Sequence, residues 1–84
     1  MTKAWFVYVL RCSDDSLYAG ITTDVCRRVE EHNAGGPKSA KYTRNRRPVV
    51  LEYQEQCDDR SSATKREMAI KKLTRQQKLA LIAK

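Results

Sequence analysis

Ligands for a structural metal are scarce in this 84-residue chain: it has one histidine and three widely spaced cysteines, with no Cys-x-x-Cys pair. A zinc site would be hard to assemble from that set. Cys12, Cys26 and Cys57 are odd in number, which favours reduced thiols and a reducing compartment. Long hydrophobic runs are missing as well. The apolar stretch ending at Leu10 is far short of the roughly 20 residues that cross a bilayer, and too short for the apolar core of a secretory leader. A cytoplasmic protein with no membrane role is expected. No internal repeat or linker interrupts the chain, so one domain over residues 1–84 is expected. A chain of this size buries only about 60–65% of its unfolded surface and builds a single core.

Negative charge is scarce where positive charge gathers. The net charge is +7, and Lys38, Lys41, Arg44, Arg46 and Arg47 fall in a ten-residue stretch without an acid. Acids collect instead at Glu52, Glu55, Asp58 and Asp59. Such an asymmetric chain points toward a polyanion: DNA, RNA or an anionic surface. The plain alternative is a solvated loop, but five cations without an acid resist ordering unless an anion is present.

Residues 5–10 are continuously apolar and rich in β-formers, which suits a strand covered on both faces. Ser13 to Ser16 is a turn cluster, and Leu17 to Ile21 returns as the second strand of an antiparallel hairpin. Thr22-Thr23-Asp24 predicts a helix start, with a hydroxyl as N-cap and an acid in the first turn. That helix should run to about Asn33, with Val25 and Val29 inward, and end at Gly35, Gly36 and Pro37. The basic stretch 38–47 reads as a loop with room for one helical turn. A third strand follows from Val49 to about Gln56; alternation of Val49, Leu51 and Tyr53 with Val50, Glu52 and Gln54 predicts one buried and one wet face. A helix over roughly 60–72 carries Ala63, Ile70 and Leu73 on its apolar stripe, with Glu67 on the same stripe. Thr74 and Gln77 form a capping-box pattern for a last helix near the C-terminus, with Leu79 and Ile82 inward. The fold class expected is α/β: a small sandwich with a three-stranded antiparallel sheet flanked by helices, in the order β-β-α-β-α-α.

Two phenols, Tyr8 and Tyr18, lie ten residues apart on the paired strands, followed by Gly20 and by Arg28 and His32 one helical turn apart. Together they could bracket a phosphodiester, with Glu67 available as a metal ligand. The tyrosines share a sheet face only if an odd number of residues lies between the last paired positions. A three-residue loop at Ser13-Asp14-Asp15 meets that condition; a four-residue loop does not. Each residue also has an ordinary reading. The tyrosines could be half-buried strand residues. Arg28 could pair with Asp24, and Glu67 with Lys71, each at about 0.2–0.5 kcal/mol. His32 could favour the dipole of a helix C-terminus.

The residues resemble the GIY-YIG nuclease family, and its small stand-alone bacterial subgroup in particular. Phe6-Val7-Tyr8 stands for the first motif, with phenylalanine in place of glycine, and Tyr18-Ala19-Gly20 for the second. Asp24 to His32 looks like the family helix, with Arg28 eight residues past the motif glycine. Glu67 matches the family's metal-binding acid. The segment from His32 to Pro48 is also similar to the branch that cuts DNA junctions. The resemblance implies a metal-dependent endonuclease in which Tyr8 orients or activates water and Tyr18 holds the phosphate or shares that role. Arg28 would neutralise charge, His32 would relay a proton or bind phosphate, and Glu67 would hold a single Mg2+ or Mn2+ ion. Nearby cations, Arg28 and the metal, would be needed to lower the Tyr8 pKa. Gly20 would let nucleic acid approach the backbone, and Lys38, Lys41, Arg44, Arg46 and Arg47 would hold flanking phosphates. The implied partner is nucleic acid, DNA ahead of RNA, recognised by shape or strand type. Two alternatives stay open: a non-catalytic nucleic-acid-binding module, and a subunit that needs a protein partner for activity. Oligomeric state is not set by the sequence.

Overall fold

A computed structural model describes residues 4–83. The elements are β1 (Trp5–Arg11), β2 (Leu17–Thr22), α1 (Val25–Ala34), a single-turn helix α2 (Lys41–Arg44), β3 (Val50–Cys57), α3 (Arg60–Lys71) and α4 (Arg75–Ile82). The sheet is three-stranded and antiparallel in the order β2-β1-β3. This is the expected α/β sandwich, with the helical turn in the basic loop realised as α2.

The central strand explains the apolar run. Val7, Tyr8, Val9 and Leu10 are all buried because β1 is paired on both sides and covered on both faces. Side chains alternate along a strand. Val7 and Val9 therefore enter one cluster with Ala19 and Ile70, against which Leu81 and Ile82 pack. Tyr8 and Leu10 enter the other, with Cys12, Val49, Tyr18, Val29 and Leu51. The α3 helix covers the first face through Ala63 and Ile70, both fully buried.

Three local expectations are corrected. Asp24 is itself the N-cap of α1, accepting from the Arg27 amide at 3.1 Å, so no acid occupies the first turn. The Thr22 hydroxyl instead accepts from the Asp24 amide one step earlier. In β3, a register shift opposite Val9 and Leu10 adds one residue, Glu52, to the strand. Leu51 then pairs with Leu10 and Tyr53 with Val9, so the two residues predicted to share a face point into opposite clusters. In α4, Leu81 and Ile82 reach the core, whereas Leu79 is half-buried outside it, because the short helix meets the sheet at its C-terminal end. The Thr74–Gln77 capping box forms as predicted.

Candidate active site

The hairpin turn settles where the two phenols point. Cys12 N–H donates to the Ser16 carbonyl, and Asp15 N–H to the Cys12 carbonyl, leaving Ser13, Asp14 and Asp15 as a three-residue loop. Asp15 adopts φ 69°, the left-handed conformation that closes such a loop. Tyr8 then pairs with Gly20 and Leu10 with Tyr18, so both phenols lie on the α1 face. A methyl group built on Gly20 would stand 2.6 Å from Tyr8 Cζ. The room over this glycine is filled by the Tyr8 ring and is not left free for a nucleic-acid backbone.

From the other side, α1 delivers His32 and Arg28. His32 is fully buried, and its Nε2 lies 3.0 Å from the Tyr8 hydroxyl. Its Nδ1 lies 2.7 Å from Oγ1 of Thr43, a fully buried residue of α2. Burial, reinforced by the Arg28 charge, pushes the imidazole pKa down from 6.5 to about 4, so His32 is neutral at neutral pH. It is thus a buried neutral imidazole, not an exposed cation at a helix end. Burial also raises the Tyr8 pKa to about 12. Arg28 opposes that rise without overcoming it, so Arg28 alone does not make Tyr8 acidic.

The Arg28 guanidinium donates to Glu31 at 3.0 Å and to the Lys38 carbonyl, not to the Asp24 carboxylate. The Asp24 carboxylate is occupied by its capping role. Tyr18 packs edge-on against His32 at 5.5 Å and stacks on Tyr42 at 5.6 Å. The outer face of Tyr42 is covered by the Arg46 guanidinium, 4.0 Å from the ring centroid. Lys71 sits 6.0 Å from the Tyr18 ring and pairs with Glu67 at 3.4 Å. The Glu67 charge is close enough to Tyr8 to disfavour the phenolate, which places α3's one inward acid at the edge of the site. The ordinary Glu67–Lys71 pair is therefore present together with the site geometry.

The family profile described as the GIY-YIG catalytic domain matches residues 4–80. The chain belongs to the GIY-YIG family. A UPF0213 protein of Desulfotalea psychrophila is 56% identical over 94% of this chain and 71% of its own length. One from Staphylococcus haemolyticus is 54% identical over 92% of each. Among solved structures, a UPF0213 protein from Bacillus halodurans superposes with a TM-score of 0.60 at 40% identity, covering 95% of this chain and 83% of that one. A protein from E. faecalis gives 0.64 at 44% identity, covering 98% and 85%.

Within this GIY-YIG domain, the tyrosines, Arg28 and His32 converge, while the basic residues divide. Arg46 bonds Asp14 at 3.0 Å and the Tyr42 carbonyl at 2.7 Å, pinning α2 to the hairpin turn. Arg47 bonds the carbonyls of Arg44, Asn33 and Ala34 and so caps the C-terminus of α1. Among the described residues, Lys38, Lys41 and Arg44 have no carboxylate at ion-pair distance. No helix there is long and apolar enough to cross a membrane.

Four contributors had no sequence signal of their own: Thr43, Tyr42, Glu31 and Asn33. The Asn33 side chain accepts from Val49 N–H at 2.7 Å and donates to the Val49 carbonyl at 3.1 Å, tying α1 to the start of β3. Among the described residues, no group of three or more His, Cys, Asp or Glu side chains gathers. Glu67, about one-fifth exposed, therefore belongs to no cluster of three such donors, and its own carboxylate is the ligand it can offer. That fits a hydrated divalent ion which keeps most of its waters and borrows phosphate oxygens, as magnesium does. It does not fit zinc, which wants nitrogen and sulfur ligands.

Proposed function

We propose that this GIY-YIG domain is an endonuclease that hydrolyses phosphodiester bonds in nucleic acid, DNA ahead of RNA. The observation that carries the reading is the enclosed hydrogen bond between Tyr8 and His32, with Arg28 beside it. A nucleophile-activating group bonded to a base, and that base held by a third group, is the logic of an acid–base relay. An incoming phosphate would compete with Glu31 for Arg28, which presents paired N–H donors suited to non-bridging oxygens. With Arg28 drawn onto the phosphate, the Tyr8 oxygen would accept a proton from the attacking water as its own proton passes to His32 Nε2. The water oxygen bonds to phosphorus, the bond to the leaving oxygen breaks, and that oxygen takes a proton from solvent. The imidazolium so formed faces the developing negative charge. Tyr18, held by Tyr42 and His32, would orient the phosphate.

A divalent ion on Glu67 would supply further stabilisation of charge on the phosphoryl oxygens. Lys38, Lys41 and Arg44 would hold flanking phosphates, a sequence-independent attraction that falls with salt. Such contacts position a substrate without reading bases, so preference by strand type or shape is expected.

One observation favours a second reading. Tyr8 is only 1% exposed and its pKa is raised to about 12, as in a domain that keeps the fold and binds nucleic acid without cutting it. Cleavage of labelled single strand, duplex, flap, splayed arm and four-way junction, in magnesium, manganese and EDTA, separates the two. Metal-dependent cuts lost in Glu67→Ala, with affinity retained, support the endonuclease. Salt-sensitive binding without cuts on any substrate supports the module, unless an added protein partner restores cleavage.

A further inference from the structure

The geometry points to Thr43 as a positioning residue that fixes the tautomer of His32, so that Nε2 is left as the acceptor for the Tyr8 proton. Three hydroxyl and ring protons must be placed along one buried line: Tyr8 Oη, His32 Nε2 and Nδ1, and Thr43 Oγ1. Among the described residues, Nε2 is the one partner of the Tyr8 hydroxyl that can accept, because the Arg28 guanidinium beside it can only donate. A hydroxyl this deeply buried must donate, so Nε2 has to be unprotonated. The Thr43 hydroxyl has its own acceptor in the Ala40 carbonyl at 3.1 Å, which leaves its lone pair facing Nδ1. Nδ1 then carries the ring proton and donates it to Thr43. The reverse arrangement has Thr43 donating to Nδ1 and Nε2–H donating to Tyr8, and it strands the Tyr8 proton without an acceptor.

This gives the single-turn helix α2 a role that its basic composition hides. Lys41 and Arg44 face outward and the exposed Tyr42 lies over Tyr18, but Thr43 between them reaches inward to His32. Arg46 pins the turn against Asp14. Thr43 touches no reacting atom; it acts through the ring it orients. The effect on rate rests on the hydrolytic reading above, but the tautomer does not, so the two can fail separately.

The test uses the full chain labelled with 15N, in which His32 is the sole histidine and gives one set of ring signals. At neutral pH the expected spectrum has a protonated Nδ1 and an unprotonated Nε2. Thr43→Val, which replaces the hydroxyl by a methyl of similar size, should lose this pattern; Thr43→Ser should restore it. Where cleavage is observed, Thr43→Val should lower kcat roughly 10–100-fold with little change in KM, the range for groups that orient a functional imidazole. Thr43→Ser should recover most of that loss. A wild-type spectrum with Nε2 protonated would overturn the inference, as would an unchanged tautomer in Thr43→Val or a Thr43→Ser protein that behaves like the valine variant. The wild-type spectrum needs no variant to fold.

Discussion

Neighbouring residues of β1 face two different interiors. Val7 and Val9 meet Ala19, Ile70 and the end of α4, a contact made only of apolar surface. Tyr8, between them in sequence, meets His32 and through it Thr43, a contact made of directed hydrogen bonds. The α3 face is held by buried area and shape, which tolerate small shifts. The α1 face is held by donors and acceptors that must each find a partner, because an unpaired buried polar group costs about 1–3 kcal/mol. The same alternation that makes β1 a core strand thus presents a chemical group on one side of a well-packed support. A site built this way inherits rigidity from the opposite face.

The largest stability effect should come from the apolar side. Ile70→Ala should lower unfolding free energy by roughly 2–5 kcal/mol in denaturant titration, with the His32 ring signals of the folded fraction unchanged. Altered ring signals would break the separation of the two faces. The polar side should reveal itself through pH. The folded His32 pKa, about 4, lies below the unfolded 6.5, so the unfolded chain binds the proton more readily between these values. This contribution is fully present above pH 6.5 and is lost as pH falls toward 4, roughly 3 kcal/mol in all. His32→Gln should flatten that window when denaturant midpoints are compared across pH. Tyr8 supplies the mirror image: its folded pKa, about 12, lies above the unfolded 10, so its contribution is lost as pH rises between them.

Gly20→Ala should come next, at about 1–3 kcal/mol, because the new methyl overlaps the Tyr8 ring and must push it from His32. A crystal structure of the variant with the Tyr8–His32 bond intact would contradict this. Tyr42→Ala should cost least, about 1 kcal/mol by thermal or chemical unfolding, through loss of its stack on Tyr18 and its contact with Arg46. A cost equal to that of Ile70→Ala would mean the α2 turn belongs to the core and is not an overlay on it.

What was legible in the sequence was local or periodic. The capping box at Thr74 and Gln77 uses residues three apart, and the burial of β1 follows from an unbroken apolar run. The site was legible as a set of residues because its motifs lie in order along the chain. Its geometry was not. Whether Tyr8 and Tyr18 share a face depended on Asp15 adopting a left-handed conformation, which its residue type permits but does not dictate. The shift in β3 arises from pairing with β1, so Leu51 and Tyr53 alternate in sequence and diverge in space. Thr43 bonds a residue eleven positions away, and nothing in Lys41-Tyr42-Thr43-Arg44 sets that hydroxyl apart from a solvated one. Arg46 and Arg47 show the converse: a run of like charges hid two guanidiniums already engaged with the protein itself.

In the proposed function, the enclosed Tyr8–His32 pair performs hydrolysis. The most direct test is single-turnover cleavage, in magnesium, of whichever substrate the wild-type protein cuts, compared with Tyr8→Phe, with affinities measured separately in EDTA. Loss of the phenol hydroxyl should leave affinity within a few-fold and lower the cleavage rate by roughly 100-fold or more, the scale of general acid–base catalysis. Wild-type cleavage that persists undiminished in Tyr8→Phe would contradict the claim and place the chemistry elsewhere on the domain.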